Sequence, residues 1–228
     1  MGVFETTRQL RKMRRDWDQR ARENARHYVV TGRDRWTDEE FFASGELSLQ
    51  EDILNDLTNI CRGKDPAAMR VLEIGCGAGR MTRALARFFG QVCAVDISPE
   101  MVRQARDAVD RFPNAHVFRN NGKDLTPVRD RAPFDFAFSS MVFQHIPSRQ
   151  IIENYVREVR SLLAPGALFK FQVQGCPRVR ESEGDSWVGV SYSEMQAREM
   201  AERCGFEMRY QAGTGDQYYW LWFFNANA

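Results

Sequence analysis

Long apolar runs are missing from this 228-residue chain. No stretch approaches the roughly 20 residues that a membrane span needs, and the N-terminus has no apolar segment of the kind a secretory signal requires. Cysteine is sparse and poorly spaced for a framework. There are five (Cys61, Cys76, Cys93, Cys176, Cys204), an odd number with no C-x-x-C pair, which argues against a disulfide scaffold and a zinc site. A reducing, cytoplasmic setting is expected, with no metal. Charge of one sign is lacking too: the formal net charge is +1, so neither nucleic acid nor a membrane is an expected partner. Internal repeats and low-complexity segments are absent. Met1-Gly2-Val3-Phe4-Glu5-Thr6 formally matches a myristoylation pattern, but the match is short and chance accounts for it.

What is present is a chain with 43% hydrophobic residues, enough to bury one α/β core plus an extra element. It is organised around Val71-Leu72-Glu73-Ile74-Gly75-Cys76-Gly77-Ala78-Gly79-Arg80. A short apolar run with one carboxylate feeds into alternating glycines, and a helical pattern (Met81, Leu85, Phe88, Phe89) starts at once. This reads as strand, tight turn, helix. Glycines suit the turn because it takes positive φ and lets a ligand lie against bare backbone, while the free N–H groups of the helix start face the same spot. A dinucleotide site has G-x-G-x-x-G; here Arg80 stands where its third glycine belongs, and Glu73 inside the strand is foreign to it.

A second strand, Gln91-Val92-Cys93-Ala94-Val95, ends in Asp96, nineteen residues after Gly77. An acid at that distance can accept from both hydroxyls of a ribose. Ser98 caps the following helix with Pro99 in its first turn, and Ile97 and Met101 are placed to pack on an adenine face. With these two elements the chain resembles the class I, Rossmann-like methyltransferases that use S-adenosylmethionine (SAM), whose first motif is an apolar acid-bearing strand ending in G-x-G-x-G.

The rest of the chain alternates strand and helix from Met69, which predicts a parallel sheet with helices on both faces. Further strands are expected at 116–119, 134–138, 167–173, 206–212 and 217–225, with helices over 148–163 and from Ser193 to Gly205. In the family the last strand is antiparallel, so the expected fold is a doubly wound, mostly parallel seven-stranded sheet with an antiparallel last strand, plus an N-terminal helical arm. The arm spans 1–62 and acts as a cover; 63–228 forms the SAM-binding domain. Within the arm, residues 5–30 read as one charged helix with Trp17, Ala21, Ala25 and Tyr28 near one side. Its basic start (Arg8, Arg11, Lys12, Arg14, Arg15) is followed by Asp16, Asp18 and Glu23 and carries no interleaved aromatics, so it reads as a solvated face. Thr37 with Glu40, and Ser48 with Glu51, form two capping boxes that predict two short helices, the second running to Cys61.

The resemblance carries site residues with it. It implies that Gly75, Cys76 and Gly77 pass under the methionine part of SAM by backbone, with Glu73 behind the turn and Arg80 at the helix start. Asp96 holds the ribose, flanked by Ile97 and Met101, and Tyr28 of the covering helix closes the site. After the third strand the family has an acid that reaches the adenine amino group. Here Asn121, next to Gly122, takes that position, and Asp124 is the alternative. Ser139 and Ser140 stand near the methionine end, in the run Ser139-Ser140-Met141-Val142-Phe143-Gln144-His145-Ile146-Pro147. Base-modifying enzymes carry [DNS]-P-P-[YFW] there, so flipped-base chemistry loses support and a small-molecule acceptor gains it.

His145 is the candidate general base, because imidazole exchanges protons near neutrality; a packed loop anchor is the competing reading. Gln172 and Gln174 alternate with Phe171 and Val173 on an apolar strand, where a buried amide must find a partner in an acceptor or in the backbone. Trp187 and Tyr192, with Arg178 and Arg180, belong to a loop expected to cover the acceptor. The expected function is methyl transfer from SAM to an O or N nucleophile of a small molecule. The alternatives are a SAM-binding, non-catalytic partner subunit and a nicotinamide enzyme. Oligomeric state stays open.

Overall fold

The computed structural model of the chain describes residues 3–176 and 186–226, with side chains from Thr6 onward. Met1 and Gly2 of the formal myristoylation start and the loop arginines Arg178 and Arg180 lie outside the described residues. Seven strands form one sheet in the order β3-β2-β1-β4-β5-β7-β6. They are β1 (Arg70–Ile74), β2 (Gln91–Asp96), β3 (Ala115–Arg119), β4 (Phe134–Ser139), β5 (Leu163–Val173), β6 (Phe206–Ala212) and β7 (Tyr219–Asn225). The pairs β1–β2, β1–β4, β2–β3 and β4–β5 are parallel; β7 runs antiparallel to both β5 and β6. The central strands are almost wholly buried because helices cover both faces, so they read as continuous apolar runs rather than alternating ones.

Among the described residues seven α-helices flank the sheet: α1 (Val3–Val29), α2 (Asp38–Asp52), α3 (Leu57–Cys61), α4 (Arg80–Phe88), α5 (Pro99–Ala108), α6 (Arg149–Leu162) and α7 (Glu194–Arg203). On one face Ile151, Tyr155, Val156 and Val159 of α6 pack with Ala197 and Met200 of α7 against Phe169, Phe171 and Phe223. Leu10 and Met13 of α1 join that core. On the other, Leu49, Ile53 and Ile60 of α2, α3 and the turn between them meet Val71, Phe136 and Leu168 with Leu85 of α4. Ser98, Ser148 and Ser193 cap α5, α6 and α7, each accepting the N–H three residues on.

Three expectations are corrected. The Ser48–Glu51 capping box does not open a helix: α2 starts from the Thr37–Glu40 box and runs unbroken past it to Asp52. Ser48 instead uses its hydroxyl to accept from Arg80 (2.8 Å). β5 begins at Leu163 rather than after Pro165-Gly166, because that segment pairs with β4 (Phe134 opposite Leu163) through a register irregularity. α1 is interrupted at Asn24, whose backbone is extended (φ −166°).

The α2–α4 crossing is set by Gly45, where a Cβ would stand 2.5 Å from the Arg80 carbonyl oxygen. Alanine has the better helix propensity by about 1 kcal/mol, but overpacking against backbone costs about 1–3 kcal/mol. Gly45→Ala is therefore expected to lower the thermal midpoint, as read by calorimetry, despite its helix-favouring side chain.

Candidate active site

β1 ends at Ile74, and the chain turns at once under the end of β2: the N–H groups of Gly75 and Cys76 both donate to the Val95 carbonyl (2.8 and 3.1 Å). Gly75 and Gly77 adopt positive φ (75° and 52°), a region that penalises any Cβ. Space demands glycine as well, since a Cβ on Gly75 would collide with Val142, and one on Gly77 would lie 2.6 Å from Val29. Asp96, at the end of β2, straps the turn. Its Oδ2 accepts from the Gly77 N–H (2.9 Å) and its Oδ1 from the Ser98 N–H (2.9 Å). Removal from water raises the Asp96 carboxyl above its ordinary value, with those N–H donors opposing the shift.

Behind the turn lies a buried acid. Glu73 accepts from the Thr82 hydroxyl (2.6 Å), and burial pushes its carboxyl up to about 7 against the pull of that hydrogen bond and of nearby Arg80. Arg80 is only 3% exposed. Its Nη1 donates to the Ser44 carbonyl (2.9 Å) and the Ser48 hydroxyl, whereas its buried Nε has no hydrogen-bond partner among the described residues.

These groups wall one cleft that is partly open to solvent. Tyr28, Glu73, Gly75, Cys76, Gly77, Arg80, Asp96, Ile97, Met101, Ser140 and His145 all line it. Other expected residues do not. Asn121 is exposed and serves its own loop: its Oδ1 accepts from the N–H groups of Lys123 and Asp124 (2.7 and 3.0 Å). The neighbouring Asn120 lines the cleft instead, its Nδ2 on the Tyr155 hydroxyl (2.8 Å) and its buried Oδ1 without a partner among the described residues. Asp124 receives Asn121 Nδ2 and belongs to the same loop. Gly122 carries Leu10 and Ile97 against its bare Cα, with a φ of 81°. Ser139 is buried, its hydroxyl donating to the Ile74 carbonyl (2.9 Å), which ties β4 to β1.

The acceptor-side glutamines are likewise absent from the cleft wall. Gln172 Oε1 accepts from the Met141 N–H (2.7 Å), holding that residue at positive φ (57°), and Gln174 Oε1 accepts from the Cys176 N–H (3.0 Å). Tyr192 is a buried core ring beneath the Arg149 guanidinium. Trp187 is not a wall residue but packs on one: the rings of His145, Trp17 and Trp187 form a three-way cluster, with centroids 5.2 Å (His145–Trp17), 5.1 Å (His145–Trp187) and 6.2 Å (Trp17–Trp187) apart. The Trp187 carbonyl can only accept, so His145 Nδ1 carries a proton and donates to it (2.5 Å). In the neutral ring that leaves Nε2 as the acceptor nitrogen, toward which the Gln144 Nε2–H donates (3.4 Å).

Wall residues not singled out from the sequence include Met13, Val29, Asn120, Val142, Ile146 and Tyr155. Tyr155 carried the one available signal, a hydroxyl on an otherwise apolar helix face. Among the described residues no cluster of His, Cys, Asp and Glu could hold a metal, and no helix is long and apolar enough to cross a membrane.

Residues 71–166 match the family described as a methyltransferase domain. A ubiquinone biosynthesis O-methyltransferase of Xanthomonas axonopodis pv. citri is 32% identical over 103 residues, which are 45% of this chain and 41% of that protein. The chain thus spans about two fifths of the length of the curated relatives it matches. Magnesium protoporphyrin IX methyltransferase from Synechocystis PCC 6803, solved with SAM, superposes with a TM-score of 0.68 at 15% identity, covering 96% of this chain and 97% of that one. The N-methyltransferase NodS of Bradyrhizobium japonicum WM9, solved with S-adenosylhomocysteine, gives 0.63 at 16% identity over 92% and 98%.

A buried acid whose proton is held more tightly in the folded state destabilises that state as it ionises. Glu73 therefore contributes its full stability below about pH 4.5 and loses it as pH rises through about 7, a change of order 3 kcal/mol. Glu73→Gln is expected to flatten this dependence, so that urea denaturation of ligand-free protein shows the variant gaining on the parent between pH 5 and 8, taken as roughly the ends of that window.

Proposed function

We propose that this chain, a class I Rossmann-like methyltransferase by its matched domain and its fold, transfers a methyl group from SAM to an O or N nucleophile of a small-molecule acceptor. The observation that carries this reading is one cleft in which the strapped glycine turn, a ribose-competent acid and two orphaned buried groups converge. Among the described residues Asn120 Oδ1 lacks a donor and Arg80 Nε lacks an acceptor. An adenine amino group and a methionine carboxylate answer those two needs. SAM, when bound, supplies an electrophilic methyl on a sulfonium.

The residue roles follow from chemistry at each position. Gly75, Cys76 and Gly77 present backbone to the methionine part, Glu73 supports the turn, and Arg80 meets the carboxylate. Asp96 takes the ribose, Ile97 and Met101 the adenine faces, and Asn120 replaces Asn121 at the adenine edge. Ser140 and Tyr28 bound the methyl-transfer end. His145 Nε2 accepts the proton of the acceptor while the Trp187 carbonyl holds the ring. Residues 1–62 act as a cover over a SAM-binding domain of 63–228. The names of the ubiquinone-pathway O-methyltransferases support a hydroxyl as the acceptor atom.

Calorimetry is expected to show SAM and S-adenosylhomocysteine binding and NAD failing to bind; NAD binding more tightly than SAM would overturn the reading. Asp96→Ala is expected to weaken SAM by about 1.5–3 kcal/mol, the range for hydrogen bonds to a charged group.

General-base assistance is typically worth about 10²–10⁴-fold. His145→Ala is expected to lower kcat by that factor with SAM affinity retained, measured by methyl transfer to an acceptor panel. A loss below about tenfold would make His145 a loop anchor and leave proximity as the main catalytic effect.

A further inference from the structure

The basic start of α1 is unexplained by the cleft. Residues 8–16 carry a formal charge of +4 in a chain whose total is +1. Of the acids that follow, only Asp16 pairs within this cluster among the described residues, with Lys12, and the others bond elsewhere. Asp16 accepts from Lys12 (2.6 Å) and from the Ser186 hydroxyl (2.8 Å). Asp18 accepts from the Ser98 hydroxyl and the Glu100 N–H (both 3.0 Å) at the start of α5, and from Arg22. Glu23 receives Gln19 and the Tyr28 hydroxyl. Arg8, Arg11, Arg14 and Arg15 are all exposed, and none has a hydrogen-bond or ion-pair partner among the described residues.

Their placement is ordered. Arg8, Arg11 and Arg15 fall three and four residues apart, one above another on one side of the helix, with Arg14 beside them. The opposite side is taken: Leu10 and Met13 are buried in the core, and Met13 and Trp17 line the cleft. No aromatic ring accompanies the arginines outward, because Trp17 and Tyr28 both face the cleft. Stacking on single-stranded nucleic acid has no platform here, whereas a plane of anionic phosphates needs only the charges. The cleft beneath the same helix has its charged wall residues, Glu73, Arg80 and Asp96, at the proposed cofactor end. Met13, Trp17, Val142 and Ile146 leave the remaining wall largely apolar.

We propose that this outer face of α1 docks the protein on a membrane surface bearing anionic phospholipid headgroups. The contact is peripheral and electrostatic, since the apolar side of the helix is already buried in the fold. Each arginine near such a surface contributes about fivefold in affinity. The docking itself does not depend on methyl transfer; only its use, bringing the cleft to an apolar acceptor dissolved in the bilayer, rests on the proposed function.

The test is sedimentation of the full chain with vesicles of phosphatidylcholine alone or with about one third phosphatidylglycerol. Binding is expected only to the anionic vesicles at about 0.1 M salt, and is expected to vanish near 1 M. The variant R8Q/R11Q/R14Q/R15Q is expected to lose at least about a hundredfold in vesicle affinity while binding S-adenosylhomocysteine as the parent does. If it folds poorly by circular dichroism, the pairs R8Q/R11Q and R14Q/R15Q are each expected to lose more than about tenfold. Equal binding to neutral vesicles, undiminished binding by the variants, or tighter binding to duplex RNA at equal phosphate concentration would overturn the proposal. Failure of SAM to bind would overturn the methyltransferase reading and leave this one standing.

Discussion

Two backbone turns are held together by one carboxylate. Asp96 joins the N–H of Gly77, in the turn after β1, to the N–H of Ser98, in the turn after β2. The rest of the cleft depends on that strap. Parallel pairing of β1 with β2 brings Ile74 opposite Val95, so both strands end level and both turns open on the same side of the sheet. A carboxylate accepting several N–H bonds costs far less to bury than a bare one. It also keeps lone pairs to spare, since each oxygen can accept more than once. Structural restraint and ligand capacity therefore coexist in the same two oxygens.

A second constraint is the buried pair behind the turn. Glu73 and Arg80 sit close enough for each to shift the other's protonation, but Arg80 spends its hydrogen bonds on α2 rather than on the acid. Burying an acid and a guanidinium without a direct bond is costly. The geometry leaves the Arg80 Nε–H without a partner among the described residues and the Glu73 proton affinity raised. The N-terminal segment is thereby part of the site: α2 orients Arg80, and α1 supplies Met13, Trp17, Tyr28 and Val29 to the wall. Such a helix would be marginal alone; its contacts with α5 through Asp18 and with the loop at Ser186 through Asp16 and Arg20 hold it in place.

The two sides of α1 do different work because a helix separates residues three or four apart from those between them. Apolar and aromatic groups at one spacing close the cleft, and arginines at the other are left to solvent. Chemistry inside the cleft is similarly divided. Charged groups gather at the end built by β1 and β2, while the end near His145 carries the ring of Trp17 with Trp187 packed behind it. Displacement at a sulfonium gains from in-line placement and dryness more than from acid–base machinery.

Much of this was legible in the residues. The strand–turn–helix at Gly75–Gly79, the acid at Asp96, the order of strands and helices and the Thr37 and Ser98 caps all follow from local patterns, because each is decided by neighbours in the chain. What escaped was decided by contacts distant in sequence. Ser48-x-x-Glu51 carries a capping signature, but a helix already under way passes through it, since α2 gains more from packing Gly45 against α4. Asn120 and Asn121 are the same residue type side by side; only the twist at the end of β3 turns one into the cleft and the other to its own loop. The residues alone leave Gln172 between an acceptor and the backbone, and the Met141 N–H, brought alongside by the pairing of β4 with β5, takes its oxygen. Local sequence thus determined the elements and the cofactor-side motif, where the chemistry is written in consecutive residues. The tertiary structure alone decided which polar atoms remain unsatisfied, because that depends on every other group that reaches them.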